Sequence, residues 1–476
     1  MEHPIHSIDE RYTFSSGLKK VLGIVLIIGV VLLAGGIIMG VMGVGEHHET
    51  STDAANPLYN LKEASETPFT TQGRNEMSPE SGVVEHGAAH GDEAHPRGSG
   101  HAAADAATSH EGPTWLTRLY SNFWINNLFF TGLAVAGLFW VAIQYAAQAG
   151  WSTSFERIPL AMASWLPIAA VLMLVTWLIA NHDLFHWTHE GLYDETGPDY
   201  DPIIANKRGY LNTFFYLARM IAFFAIWIVF FFLIRRESGR EDLNGGTSYW
   251  YTLRKYSAIF LVLFAVTSSM AAWDWVMSLD PHWFSTLFGW YVFASWWVSA
   301  IAAITLIVVL LREAGYLKIV NANHLHDLGK FMFAFSIFWT YLWFSQFLLI
   351  YYANIPEESI YYIERLTSDY YSPIFFINLI LNFFFPFLVL MTRDAKRHTI
   401  FLKIVCSVVL FGHWLDFYLM VTPAVMKDFG GFGLMEVGLI LVYASAFGFV
   451  VMGALTKMGL IPKHHPMLQE SMHHHI

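Results

Sequence analysis

Asp274 stands between Trp273 and Trp275, and His413 and Asp416 stand three residues apart with Trp414 and Phe417 beside them. A spacing of three puts two side chains on one helix face, so His413 and Asp416 make a candidate acid–base pair. Arg219 lies in a long apolar run, and His182, Asp183 and His186 close another. An ionisable side chain at a bilayer centre costs about 2.5–3.5 kcal/mol on insertion scales, so each asks for a partner or a purpose. Arg219 needs a carboxylate, and Asp274 or Asp183 is the natural counter-ion. A buried Asp near a His and an Arg is the material of a proton relay or a quinol site. His324, His326, Asp327 and Lys330 gather at the start of a further apolar run and form the candidate opposite mouth. Thr267, Ser268, Ser269, Ser336, Thr340, Tyr341, Ser345 and Asn382 offer hydroxyls and amides between the two ends. Small polar residues also serve plain helix packing. Glu436 and His186 read as interfacial groups in contact with headgroups or loop backbone.

The elements that must hold these residues are membrane helices. Of 476 residues, 55% are hydrophobic, 17% aromatic and only 14% charged. An average soluble domain carries roughly 25% charged residues, and the mean hydropathy of +0.42 also speaks against a water-soluble globule. A spanning helix needs about 20 apolar residues. Ten stretches qualify: 20–44, 122–149, 160–180, 211–234, 256–277, 287–311, 328–352, 373–391, 400–420 and 434–458. The chain is therefore expected to be an all-α integral membrane protein. The first segment follows Glu2, Asp9 and Glu10 and lacks an A-x-A cleavage site, so it reads as an uncleaved anchor.

Lys and Arg in the loops give the orientation. With the N-terminus inside, one side collects sixteen of them, from Arg11 to Lys463, against Lys207, Arg208, Arg365 and Lys427 in the short loops of the other. Both termini are expected in the cytoplasm. Residues 1–44 are then the N-terminus and first helix, and 45–121 form one long outer loop. That loop carries 12 acidic and 4 basic residues and seven histidines (His47, His48, His86, His90, His95, His101 and His110). It reads as a solvated low-complexity linker rather than a metal binder. An echo between AAWDW at the end of helix 5 and GHWLDF at the end of helix 9 suggests two four-helix bundles, helices 2–5 (122–277) and 6–9 (278–420), with helices 1 and 10 peripheral. Residues 421–476 hold the tenth helix and a tail whose His473, His474 and His475 receive no role.

Several chemistries are excluded. The net charge of −11 offers nothing to nucleic acid, and the one cysteine, Cys406, cannot hold an Fe–S cluster, a CxxCH haem, a Cys-type zinc or an intrachain disulfide. A b-type haem needs facing His pairs near mid-membrane, and the central turns of the ten stretches have none. No Walker A or Rossmann motif occurs. His182 and His186 have helical metal spacing, but a third ligand is not evident beyond His189 in the loop. The chain is thus expected to bind no cofactor itself, and any electron transfer runs through partners.

Three segments carry a resemblance. Ser268 to Trp297 (SSMAAWDWVMSLDPHWFSTLFGWYVFASWW), Asn181 to Trp187 (NHDLFHW) and His324 to Tyr352 (HLHDLGKFMFAFSIFWTYLWFSQFLLIYY) resemble the ActF subunits of bacterial alternative complex III, a quinol:electron-acceptor oxidoreductase. ActF is similar to the NrfD/polysulfide-reductase membrane subunits. The resemblance spans helices 2–10 and leaves out 45–121. It implies ten helices in the bacterial inner membrane, assembled with an ActC-type membrane subunit, a multihaem cytochrome c, a large periplasmic Fe–S subunit, small membrane subunits and possibly a terminal oxidase. Haem c and Fe–S clusters belong to those partners, and quinol oxidation chiefly to the ActC-type subunit, while the ActF-type subunit contributes a proton passage. His182, Asp183, Asp274 and Asp416 match the periplasmic-side polar positions of that pattern. Two other classes compete: a secondary transporter, which predicts inverted repeats and helices broken by Gly or Pro, and a purely structural anchor, which leaves Asp274, Arg219 and Asp416 without a reason.

Overall fold

In the computed structural model, which describes residues 10–43 and 113–475, ten helices are long and apolar enough to cross a membrane. They are α1 (Ser16–Val41), α2 (Trp115–Ala147), α3 (Thr153–Leu184), α4 (Thr213–Asn244), α5 (Ser248–Trp275), α6 (Phe288–Glu313), α7 (Ala322–Ala353), α8 (Tyr371–Val389), α9 (Thr399–Met426) and α10 (Leu434–Leu455). No β-strand occurs among the described residues. The chain is an all-α, multi-pass integral membrane protein. The 45–121 loop reading falls largely on residues outside those described, and all seven of its histidines lie there.

Contacts between helix ends alternate as successive crossings require. The end of α1, the start of α2, the end of α3 and the start of α4 share one face, called here the exit face; the start of α1 marks the entry face. Arg118 meets Glu436 and His282 meets Asp201 on the exit face, while Arg157 meets Asp242 and Lys403 meets Glu313 on the entry face. α2 packs against α3, α5, α6, α9 and α10; α4 lies on α3 and α5; α7 and α9 flank α6; and α8 touches α7 and α9. Helix α1 is held by α10, where Gly29 and Gly36 face Gly438 and Met435. A Cβ at Gly29 would come within 2.9 Å of the Gly438 carbonyl, and one at Gly36 within 2.6 Å of the Met435 nitrogen. Small residues at a membrane interface allow this close backbone approach.

Helix ends outrun the apolar stretches. α2 starts at Trp115, seven residues before 122, capped by the Thr114 side chain on the Thr117 N–H. α4 runs to Asn244, ten residues past 234, and the third crossing opens at Thr153 rather than 160. A hydropathy window sees only the lipid-facing part of a helix, whereas the backbone ladder continues through charged turns that find partners. Arg118, Glu156, Arg157, Glu237 and Glu241 thereby lie on helices. α8 is interrupted: a π-helical stretch, Ile380–Phe384, separates Tyr371–Leu379 from Phe385–Val389. Pro386 has no N–H to donate back into the ladder, and π-bulges concentrate at functional sites.

Candidate functional site

The two aspartates singled out in the sequence, Asp274 and Asp416, are fully buried in the exit half, each in its own shell. Asp274, in the last turn of α5, is gripped by Arg219 of α4: Nε donates to Oδ2 at 2.6 Å and Nη2 to Oδ1 at 3.1 Å. Arg219 also donates from Nη1 to the Tyr210 carbonyl at 3.1 Å and lies 3.9 Å from the Tyr210 ring centroid. Such bidentate geometry is the strongest form of ion pair. The neighbouring Trp275 is stacked on Phe224 and donates no hydrogen bond.

Asp416, on α9, is held differently. Its Oδ1 accepts from the Tyr291 hydroxyl of α6 and from Asn378 Nδ2 of α8 at 2.9 Å, and its Oδ2 accepts from Trp339 Nε1 of α7 at 3.0 Å. All three donors are neutral, one each from α6, α7 and α8. The Asn378 Oδ1 accepts in turn from Asn382 Nδ2 at 2.6 Å, inside the π-helical stretch. Gly412 makes room for this: a Cβ there would collide with Asn382. His413 lies 4.0 Å from Asp416 and shares a 3.0 Å hydrogen bond between Nδ1 and Ser295 Oγ. Its Nε2 is buried without a partner. Beside this shell a small cleft is lined by Tyr291, Trp343, Gln346, Arg365, Asn378 and Met420. It has room for about one water, and the Gln346 Oε1 is buried there unpaired.

The structure brings together some predicted residues and separates others. Arg219 and Asp274 pair, and His413 and Asp416 adjoin. His182 and Asp183 are exposed at the rim of α3: His182 Nδ1 meets Thr188 Oγ1 at 3.2 Å, and Asp183 accepts from Thr117 Oγ1 at 3.5 Å. His186 is exposed as well. At the entry face His324, His326 and Asp327 do converge in the first turn of α7. His324 completes the cap of that helix with Asn321, and its Nε2 meets Ser471 Oγ at 3.2 Å. Asp327 pairs with Lys330 at 2.5 Å and with His474 at 2.6 Å, and lies 3.8 Å from His326. Among the described residues, no three His, Cys, Asp or Glu side chains form a group able to hold a metal.

Glu436 overturns its interfacial reading. It is fully buried at the start of α10 and accepts from Arg118 Nε at 2.7 Å, Arg118 Nη2 at 2.9 Å, Asn122 Nδ2 at 2.9 Å and the Gly433 N–H at 2.7 Å. The counter-ion was hidden because Arg118 had been counted in the loop before α2. The tail is the second miss: His474, given no role, sits on Asp327, and its carbonyl accepts from Asn321 and Asn323. The third is a buried entry-face group of Tyr145, Glu156, Arg157, Glu241 and Asp242. Adjacent Glu156 and Arg157 and the 237, 241 helical spacing were its only sequence signals.

Outside the crossings, Asp201 and His465 are among the groups with displaced protonation equilibria. Burial alone would raise the Asp201 carboxyl, but His282 Nε2 at 2.5 Å and the N–H groups of Ile204 and Ile203 outweigh it and leave it below its usual range. Burial, with the nearby Arg157 charge, pushes His465 down to about 4. A scan against known protein families and a search of curated proteins find no match to this chain.

Proposed function

We propose that this chain is a non-haem membrane subunit of a quinol:electron-acceptor oxidoreductase of the alternative complex III type, contributing a proton path. Asp416 carries the reading. A carboxylate with three neutral donors, no cation in contact and a water-sized cleft beside it can take up and release a proton without breaking an ion pair. A scaffold would have no use for such a costly group. The unpaired Nε2 of His413 and Oε1 of Gln346 supply further groups on which a proton or a water could rest. The cleft is too small for a quinol ring, which supports leaving quinol oxidation to an ActC-type partner. The chain's one thiol, Cys406, is buried, so electrons would pass through the haems and Fe–S clusters of the partner subunits.

In this reading α2–α5 and α6–α9 are two four-helix bundles joined along α2, α5, α6 and α9, with α1 and α10 at the side. The membrane is the bacterial inner membrane, and both termini and the entry face are cytoplasmic. Asp274 and Asp416 then face the periplasmic half, and His324, His326 and Asp327 form one cytoplasmic mouth. The test begins with purification in mild detergent, where haem- and Fe–S-bearing subunits should accompany the chain. Asp416→Asn and Asp274→Asn complexes should assemble yet lose proton translocation or quinol-oxidation rate. Recovery as a lone homo-oligomer, or full activity in both variants, would reject the reading.

A further inference from the structure

Glu241, in the last turn of α4, is fully buried, and neither of its carboxylate oxygens has a hydrogen-bond partner. Glu156, at the start of the third crossing, is also buried and lies within electrostatic reach of it. Glu156 Oε1 accepts from the Tyr145 hydroxyl of α2 at 2.9 Å, and its Oε2 lies 3.8 Å from His465 Nε2 of the tail. The neighbouring guanidinium hydrogen-bonds neither of them: Arg157 Nη2 donates to Asp242 Oδ2 at 2.7 Å and to the Ser238 carbonyl at 3.2 Å, and its Nε is buried without a partner. Asp242 is further tied to the tail through the Lys463 N–H at 3.1 Å and His464 Nδ1. Three carboxylates thus share one buried arginine, and that arginine bonds the most exposed of the three.

Two neighbouring buried carboxylates cannot both stay ionised without a cation between them. We propose that Glu156 and Glu241 hold one proton between them, forming a second proton-loading site at the entry face that serves the α2–α5 half of the chain. This deepens the proton-path reading and rests on it. It also adds a mouth separate from His324, His326 and Asp327, which open α7. The adjoining cleft, with room for about one water, reaches the group only at Arg157 and is otherwise lined by residues such as Ser164, Arg235, Met458 and Gly459. Onward passage has candidates too. Ser238, one turn from Glu241, and Ser257 on α5 are buried with unpaired hydroxyls, and Thr267 on α5 lies nearer Asp274. In the loading step a hydronium ion from the entry face gives its proton to a carboxylate oxygen, forming a carboxyl O–H and leaving water.

The test is the infrared C=O stretch of protonated carboxyls, titrated at equilibrium on the full chain in its purified complex. The expected wild-type result is a protonated-carboxyl band that disappears as pH rises and is lost in Glu241→Gln. In Glu156→Gln, the remaining buried acid no longer has a second buried carboxylate beside it, so its band should vanish at a pH lower by about one unit or more. Should Glu241→Gln fail to assemble, the shift in Glu156→Gln decides alone. A band unchanged in both variants overturns the proposal. So does a band abolished by sodium ions at constant pH, which would mark a metal-cation site. Asp274→Asn and Asp416→Asn leave this band in place, so a failed proton path and a failed loading site give different results.

Discussion

Replacing Arg219 by Ala would leave Asp274 buried with no counter-ion. Removing one partner of a buried pair costs about 3–5 kcal/mol, whereas Asp274→Asn strands only Arg219, which is less deeply buried than Asp274 and keeps its bond to the Tyr210 carbonyl. Arg219→Ala should therefore lower the thermal unfolding temperature in detergent well below that of Asp274→Asn, and the double variant should recover much of the loss. Little destabilisation by either single change would show that the pair is screened by water. His465 gives a pH prediction of defined sign. Its value near 4 in the folded chain lies below the ordinary 6.5, so the released tail binds more protons between those values. Docking of the tail, full above about 6.5, is lost progressively as pH falls toward 4. Limited proteolysis near residue 465 should accelerate from pH 7 to pH 5 in the wild type and not in His465→Gln.

At the scale of the element, α9 contains a proline in its last turns, and a distant helix compensates for it. Pro423 cannot donate to the Leu419 carbonyl four residues before it. That carbonyl instead accepts from Arg365 Nε at 3.0 Å, and Met420 O from Arg365 Nη2 at 3.4 Å. Arg365 belongs to the short exit-face helix Pro356–Thr367, whose Tyr361 stacks on Trp283 at 4.2 Å. Arg365→Leu should cost about 1–3 kcal/mol for each buried carbonyl left unpaired and should raise hydrogen exchange across 356–367. In a Pro423→Ala background the restored N–H serves Leu419, so the same change should cost measurably less. An unchanged cost would mean that Arg365 acts through packing alone. In α8, Pro386 follows the π-helical stretch Ile380–Phe384, just beyond Asn378, which donates to Asp416.

For the molecule as a whole, the alternating end contacts fix which loops share a face, and the proposed orientation rests on the Lys and Arg bias between the two faces. Thr247, in the α4–α5 turn, and Glu195, in the α3–α4 loop, are both exposed, and the native thiol Cys406 is buried and silent. Cysteine placed at 195 should react with an impermeant reagent applied to intact cells, and one at 247 should react only after permeabilisation. The reverse pattern would turn the protein over and exchange the roles of its two mouths. Position 238, which the sequence also places in that turn, is unsuitable because Ser238 is buried on α4.

Helix number, apolar character and the cost of Asp274, Arg219, His413 and Asp416 were all legible in the sequence, because each depends on local composition. Twenty apolar residues in a row need no knowledge of neighbours, and a carboxylate among tryptophans is conspicuous wherever the chain leads it. The shells were not legible. Tyr291, Trp339 and Asn378 come from three helices to one aspartate, and Arg118 reaches Glu436 across 318 positions of sequence. Periodicity reports which face of a helix is apolar, not which helix will lie against it. The tail on Asp327 and the unpaired Glu241 depended likewise on packing between segments far apart in the chain. Sequence determined that polar groups would be buried in this membrane protein; only the tertiary structure decided which of them are paired and which are left without a partner, because that depends on which helices lie against one another.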